Sequence, residues 1–335
     1  MTKKKYLIIL SSFVVVMIAV IILYAIKDKT DKNNEIKHSE EYLYYSEIFN
    51  FKIDDSKKYY IIKDINVKHR NDVQIIIPDT IDDIPVKKIV DDTNDFANWS
   101  FIKILKIGKN VEYIGTSLDD DGILNGGSYG DSFLISSTSQ IVEIVVDKNN
   151  LVYSSINGIL YSKDLKTLIK YPNSKADENT NLNFKIPEGV TEIYNDAFYN
   201  NRVLATIELS STVTKIGDRA FYNCNNLYKI IFNKALESIG IEAFYRCNLA
   251  SIELNEGVAS IGSRAFAQNA ELASFYAPIS LEKVGENLFS GHRNLLTVTT
   301  PIGNKEKLKQ FKSFYDPYES STDPDFKPML VIKEI

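Results

Sequence analysis

Between residues 184 and 298 the apolar positions of this chain repeat almost verbatim. Leu204, Ile207, Leu209, Val213, Ile216, Ala220 and Phe221 return 23 positions later as Leu227, Ile230, Phe232, Leu236, Ile239, Ala243 and Phe244. They return again after 22 as Leu249, Ile252, Leu254, Val258, Ile261, Ala265 and Phe266, and after 23 more as Leu272, Phe275, Ala277, Leu281, Val284, Leu288 and Phe289. A partial copy precedes them (Phe184, Ile186, Val190, Ile193, Ala197, Phe198), and Leu295 and Val298 trail off behind. Self-similarity at a short fixed period predicts a solenoid of stacked coils.

Within one copy, Ile207 and Leu209 alternate with Thr206 and Glu208, the period-two rhythm of a short strand. The chain then turns at Ser210, Ser211 and Thr212, and Val213 and Ile216 point inward again. Gly217 permits a sharp bend. Asp218, Arg219, Ala220 and Phe221 read as a single helical turn capped by Asp218. Seven inward side chains do not offset the entropy of ordering 23 residues, so one copy does not fold alone. Stacked copies do, because each buries its flat faces on its neighbours, about 4.8 Å apart along the sheet. The outward strand positions are Thr206/Glu208, Lys229/Ile231, Ser251/Glu253 and Ser274/Tyr276.

The segments IPEGVTEIYNDAF, VTKIGDRAFYNCNNLYKIIF and VASIGSRAF resemble the BspA-type bacterial leucine-rich repeats. That family repeats L-x-x-I-x-(I/L)-P-x-x-V-x-x-I-G-x-x-A-F-x-x-C/N. Ile186-Pro187 keeps the proline after the strand, whereas Ser210, Asn233 and Asn255 replace it. The last copy carries Val284-Gly285 and Leu288-Phe289, as a decaying terminal repeat would. The resemblance implies a curved solenoid with a parallel sheet, displayed on a bacterial surface. The expected fold class is therefore a leucine-rich-repeat solenoid, a β-rich α/β fold. Short parallel strands stack with single helical turns, both ends are capped, and one N-terminal transmembrane helix precedes the whole.

The rest of the chain is organised around that block. Residues 6–26, YLIILSSFVVVMIAVIILYAI, are apolar apart from two serines and follow Lys3, Lys4 and Lys5. A helix of that length spans about 30 Å of hydrocarbon. The expectation is an uncleaved anchor with residues 1–5 as a cytoplasmic tail; a cleaved signal peptide is the rival. Lys27, Lys29, Lys32 and Lys37 follow the run, so charge alone does not set the orientation. The large domain is placed outside the cytoplasm on the export-like character of the run and on the resemblance. Residues 27–41 read as a solvated tether. Residues 42–84 read as an N-terminal β cap with strands at Phe49–Ile53, 59–65 and 73–77, and 85–300 as the solenoid. Two insertions interrupt it. One, at 116–140, is rich in Asp, Gly and Ser; the other, at 151–180, carries the hairpin signal Asn157-Gly158. Residues 301–335 close the coil. Leu308, Phe311 and Phe314 lie at helical spacing within 304–314, and a last strand covers 329–335.

Charge and chemistry narrow the picture further. The 335 residues carry a net charge of −5 with a pI near 5.5 and no basic stripe, which argues against a dedicated nucleic-acid binder. His38, His69 and His292 are scattered, no metal-ligand spacing or catalytic motif occurs, and no enzyme activity, metal or cofactor is expected. Cys224 and Cys247 occupy equivalent positions and read as two buried thiols in preference to a disulfide, since side chains stacked in parallel rarely reach the needed dihedral. Asp119, Asp120 and Asp121 fail the calcium-loop pattern and read as a solvated acidic loop. Tyr199, Tyr222 and Tyr245 form a ladder better suited to lateral packing than to a ligand.

The expected role is binding: protein–protein interaction or adhesion at the cell surface, or else a structural or regulatory part in a cell-envelope membrane complex. The candidate contact residues are Lys229, Ile231, Tyr276, Glu208 and Glu253, because their identity changes from coil to coil while the apolar slots stay nearly constant. Recovery of the full chain in the membrane fraction after carbonate washing is the expected outcome for the anchor. A mature N-terminus near Ile26 in the culture supernatant would instead establish a cleaved signal peptide.

Overall fold

In a computed structural model the described residues are 38–66, 74–91, 102–116, 140–175, 182–293, 296–314 and 330–335. The apolar run at 6–26, most of the tether, His69, the acidic insertion at 117–139 and residues 315–329 lie outside them. Among the described residues no helix is long and apolar enough to cross a membrane.

Among the described residues the repeats between 183 and 284 contribute two strands each, not one. The first is the expected three-residue strand. Asn183–Lys185, Thr206–Glu208 and Lys229–Ile231 pair in parallel, residue for residue. Ser251–Glu253, Ser274–Tyr276, Leu296–Thr300 and Leu330–Glu334 do the same. From residue 192 onward the second strand is only two residues long and ends on the residue before the glycine position: Glu192–Ile193, Lys215–Ile216, Ser238–Ile239, Ser260–Ile261 and Lys283–Val284. This second row continues the hairpin insertion. Tyr153–Ile156, Ile159–Ser162 and Thr167–Lys170 are antiparallel, and Thr167–Lys170 hands over in parallel to Glu192–Ile193, giving one eight-stranded sheet.

The turn at Asp218 to Phe221 is not helical. Arg219 has φ 53° and Asn223 φ 59°, and the same left-handed values recur at Asp196, Asn200, Glu242, Arg246, Arg264 and Gln268. A helix needs each N–H within its own turn. Here alternate N–H groups leave the coil: Arg219 donates to the Ile241 carbonyl, Phe221 to that of Ala243 and Asn223 to that of Tyr245. Those between them, on Ala220, Tyr222 and Cys224, donate three residues back. The Asp218 Oδ1 accepts the Ile241 N–H of the next coil, 2.7 Å away. The neighbouring coil supplies partners that an isolated turn lacks, so stacking overrides the local helical pattern.

The same closeness explains the Ile-Gly signature. A Cβ at Gly240 would sit 2.5 Å from the Asp218 backbone nitrogen of the preceding coil, and Gly262 is pressed likewise by Ile241. Tyr194 replaces this glycine in the first copy, where the preceding neighbour is the hairpin strand Thr167–Lys170 and not another repeat.

Two ends close the stack. At the start, a helix covers Glu40–Ile48, capped by Ser39, whose Oγ accepts the Tyr42 N–H at 2.9 Å, with Glu40 and Glu41 favourably placed in its first turn. Glu40 and Glu41, read from the sequence as the end of the tether, are thus helical. None of the helix residues is fully buried, which is why no apolar face announced it. Phe49–Ile53 pairs antiparallel with Tyr60–Ile65, which runs parallel to Ile84–Asp91. Gln74–Ile76, grouped from the sequence with the cap strands, joins the repeat row instead, beside Ile104–Ile107 and Glu143–Val146. At the far end Lys305–Lys309 is helical and Lys312–Phe314 a 3-10 turn, burying Leu308 and Phe314.

The interior holds two hydrophobic clusters, one before and one after the hairpin insertion. Ile159–Ser162 is the wall between them: Ile159 and Tyr161 belong to the second cluster, Leu160 to the first, and all three are buried. In the second cluster Phe198, Phe221, Phe244 and Phe266 stack face to face, with centroids 4.7, 5.0 and 5.4 Å apart.

One charged group is sealed in. Lys170 is fully buried, and its Nζ donates to the Asp196 carbonyl at 3.0 Å. Burial pulls its pKa down to about 8, against the attraction of the Asp196 carboxylate. Burial likewise raises Asp196 to about 6, outweighing its 2.8 Å ion pair with Arg219.

Two outcomes follow for stability. Phe244→Ala should cost about 3–5 kcal/mol, as for other buried aromatics, and Glu253→Ala within about 0.5 kcal/mol; equal effects on melting would refute the inward and outward assignment. Lys170→Met should raise stability at pH 7, by about 2 kcal/mol after the lost hydrogen bond is subtracted. The unfolded lysine binds its proton more tightly than the folded one, so wild-type stability climbs as pH rises from about 8 towards the ordinary lysine value of 10.5, and the gap to the methionine variant should close over that range. A gap that is absent at pH 7 or constant with pH would rule this account out.

Candidate partner-binding face

The five candidate residues all project from the three-residue strands. In that row Lys185, Glu208 and Ile231 are successive neighbours, and so are Glu253, Tyr276 and Thr299. The two groups do not join. No ladder links Lys229–Ile231 to Ser251–Glu253, although the opposite row runs unbroken past the same coils through Ser238–Ile239 and Ser260–Ile261. The seam coincides with the 22-residue copy. Cys247-Asn248-Leu249 is one residue shorter than Cys224-Asn225-Asn226-Leu227, and the Leu249 N–H donates to the Asn269 side chain at 3.1 Å.

The residues differ in how free they are. Glu208 is half-buried and pairs with Lys185 at 2.8 Å, a surface pair worth about 0–1 kcal/mol. Lys229 and Glu253 are exposed and make no ion pair among the described residues. Ile231 is 41% exposed and Tyr276 is half-buried. Tyr228, one residue before this strand and 55% exposed, was missed by the sequence reading. Its signal was present, since the equivalent positions are Ala205, Ala250 and Ala273.

Elsewhere the side chains serve packing. Tyr199, Tyr222 and Tyr245 stack at 5.0 and 4.8 Å, so both faces of Tyr222 are occupied and a sugar ring finds only edges there. Arg264 covers the Tyr245 ring at 4.8 Å. Cys224 and Cys247 are free and buried, each donating its thiol to a carbonyl, of Phe198 and Phe221 respectively. Burial pushes the Cys247 thiol up, away from a nucleophilic thiolate. His38 stacks on Tyr42 at 3.9 Å, and the His292 Nδ1 lies 2.6 Å from the Phe289 carbonyl. Among the described residues no group of three or more His, Cys, Asp or Glu side chains is placed to hold a metal.

A family model, the BspA type leucine rich repeat region, matches residues 191–316 in 6 copies. No curated protein sequence matches the chain. Among solved structures, the pneumococcal vaccine antigen PcpA is 20% identical, with a TM-score of 0.51 over 71% of this chain and 64% of that one. The chain thus spans less than two thirds of that structure's length. A leucine rich cell surface protein from Faecalibacterium prausnitzii is 18% identical over 84% of this chain and 99% of that one, with a TM-score of 0.46. The leucine rich repeat protein of T. pallidum is 25% identical over 47% and 72%, with a TM-score of 0.38. The likeness to the pneumococcal antigen is one of fold. The repeated motif, the stacked coils and the match agree: residues 191–316 carry 6 copies of the BspA type leucine rich repeat.

Proposed function

We propose that the chain is a membrane-anchored, extracytoplasmic repeat protein that binds a protein partner at the bacterial cell surface. Residues 6–26 are the anchor and 27–39 the tether. The outward strand row is the contact surface, centred on Lys229, Ile231 and Tyr276, with Glu208 and Glu253 beside them and Tyr228 at the edge. The reading rests on one observation: the inward slots keep their residue type from coil to coil, whereas the second outward position changes at every step (Glu208, Ile231, Glu253, Tyr276), and packing makes no such demand. An isoleucine left 41% exposed on a sheet face adds little to the core. The row is mixed in polarity, which suits a protein surface better than a small molecule.

A second reading follows from the tether. Thirteen residues give an r.m.s. reach of about 20 Å. That distance favours a partner within the cell envelope, as in a structural or regulatory complex, over one beyond a thick wall.

The triple substitution Lys229→Ser, Ile231→Ser, Tyr276→Ser should leave the circular dichroism spectrum unchanged and weaken binding of the partner captured by the wild-type chain. Undiminished binding, with loss instead on deleting residues 117–139, would move the contact to the acidic insertion.

A further inference from the structure

The hairpin insertion carries an exposed patch that the repeat row does not explain. Ile159–Ser162 pairs with Tyr153–Ile156, setting Ser162 opposite Tyr153. This brings the loop before the hairpin and the turn at 162–167 to the same end. The Lys163 N–H donates to the Val152 carbonyl at 2.8 Å, and Lys163 Nζ donates to the Lys148 carbonyl at 3.0 Å. At this end Leu151 is 84% exposed, Val152 37% and Leu165 38%. Lys148, Lys163 and Lys166 lie in the same two loops, all exposed, and none forms an ion pair among the described residues. The two acidic neighbours are exposed as well, and each accepts hydrogen bonds within its own loop. Asp147 accepts the Asn149 N–H at 2.8 Å, and Asp164 accepts from Ser162 Oγ and the Lys166 N–H.

The fold does not ask for these aliphatic residues. Leu165 sits at φ 62°, a conformation that favours glycine or asparagine, and its side chain gains little burial in exchange. A residue that breaks the local rule without a packing gain points to a role outside the fold.

We propose that this end of the hairpin insertion rests on an anionic phospholipid surface, with Leu151, Val152 and Leu165 entering the headgroup boundary and the three lysines meeting lipid phosphates. Exposed aliphatics with lysines in the same loops are the chemistry of an interfacial contact. With two aspartates nearby, the net charge of the patch is small and its attraction is weak. A weak contact becomes significant when a second attachment holds it close, since a single signal gives only marginal membrane binding. The apolar run ends at Ile26 and the first helix starts at Glu40, and the row Gln74–Ile76, Ile104–Ile107 and Glu143–Val146 precedes the hairpin, roughly 15 Å of stacking at the usual strand spacing. That is within the reach of the tether. The inference therefore rests on the anchor proposed above, and the two fail separately.

The test uses the full chain reconstituted with vesicles of phosphatidylglycerol mixed with phosphatidylcholine, or of phosphatidylcholine alone. Amide hydrogen exchange at 151–152 and 163–166 should slow about fivefold on the anionic vesicles relative to the neutral ones. The difference should vanish at high salt. It should also vanish in the variant Lys148→Gln, Leu151→Ser, Lys163→Gln, Lys166→Gln, while exchange over the repeat strands stays unchanged. Equal exchange on the two lipids would overturn the proposal, as would protection by polyglutamate but not by vesicles, which would assign the patch to an acidic protein. A chain that fails to float with either vesicle refutes the anchor. A large excess of anionic vesicles then still reads the patch, and unprotected amides there refute it as well.

Discussion

The structure depends on one spacing. Stacked aromatic rings and hydrogen-bonded strands both settle near 5 Å, so a coil can satisfy its backbone and its core with the same neighbour. Phe198, Phe221, Phe244 and Phe266 keep that spacing through the interior, and Tyr199, Tyr222 and Tyr245 keep it along one edge. The turn between the rows follows from it. Left-handed residues at Arg219 and Asn223 aim alternate N–H groups at the next coil, an arrangement that no isolated segment would hold. The glycine column belongs to the same constraint, because the backbone of the preceding coil occupies the space where a side chain would begin.

Where the constraint is relaxed, the chain changes character. The copy that is one residue short keeps its core phenylalanine and its two-residue strand but gives up the ladder between Lys229–Ile231 and Ser251–Glu253. The candidate contact residues thus lie on either side of a discontinuity in an otherwise regular row. The hairpin insertion relaxes the pattern differently. Its central strand alternates between two cores, so it serves as the end wall of one and the first wall of the other. Lys170 is buried at that junction, where the repeat pattern is not yet established and no repeat glycine or phenylalanine prescribes the packing.

The proposed contacts fall on what the stack does not use. Interior slots, the glycine column and the tyrosine edge are all committed to neighbouring coils. What remains is the outward strand row, the loop ends and the insertions, where residue type varies without penalty to the fold. Lys229, Ile231 and Tyr228 stand there, and so do Leu151 and Leu165.

The repeat itself was legible in the sequence, because burial in a solenoid is periodic and a period is a property of the chain alone. Leu204 through Phe221 and their copies named the core, and Thr206, Glu208, Lys229 and Ile231 named the outer face, without reference to any coordinates. The expected helical turn at Asp218 failed because its decisive hydrogen bonds go to another coil, and local propensity does not see partners 22 residues away. The second strand row escaped notice for a related reason: two residues such as Lys215–Ile216 have no rhythm of their own and become a strand only by pairing. The helix at Glu40–Ile48 had a cap but no apolar face. The seam was visible as a missing residue, yet its consequence, one broken row beside one intact row, is decided only when the coils are stacked in three dimensions.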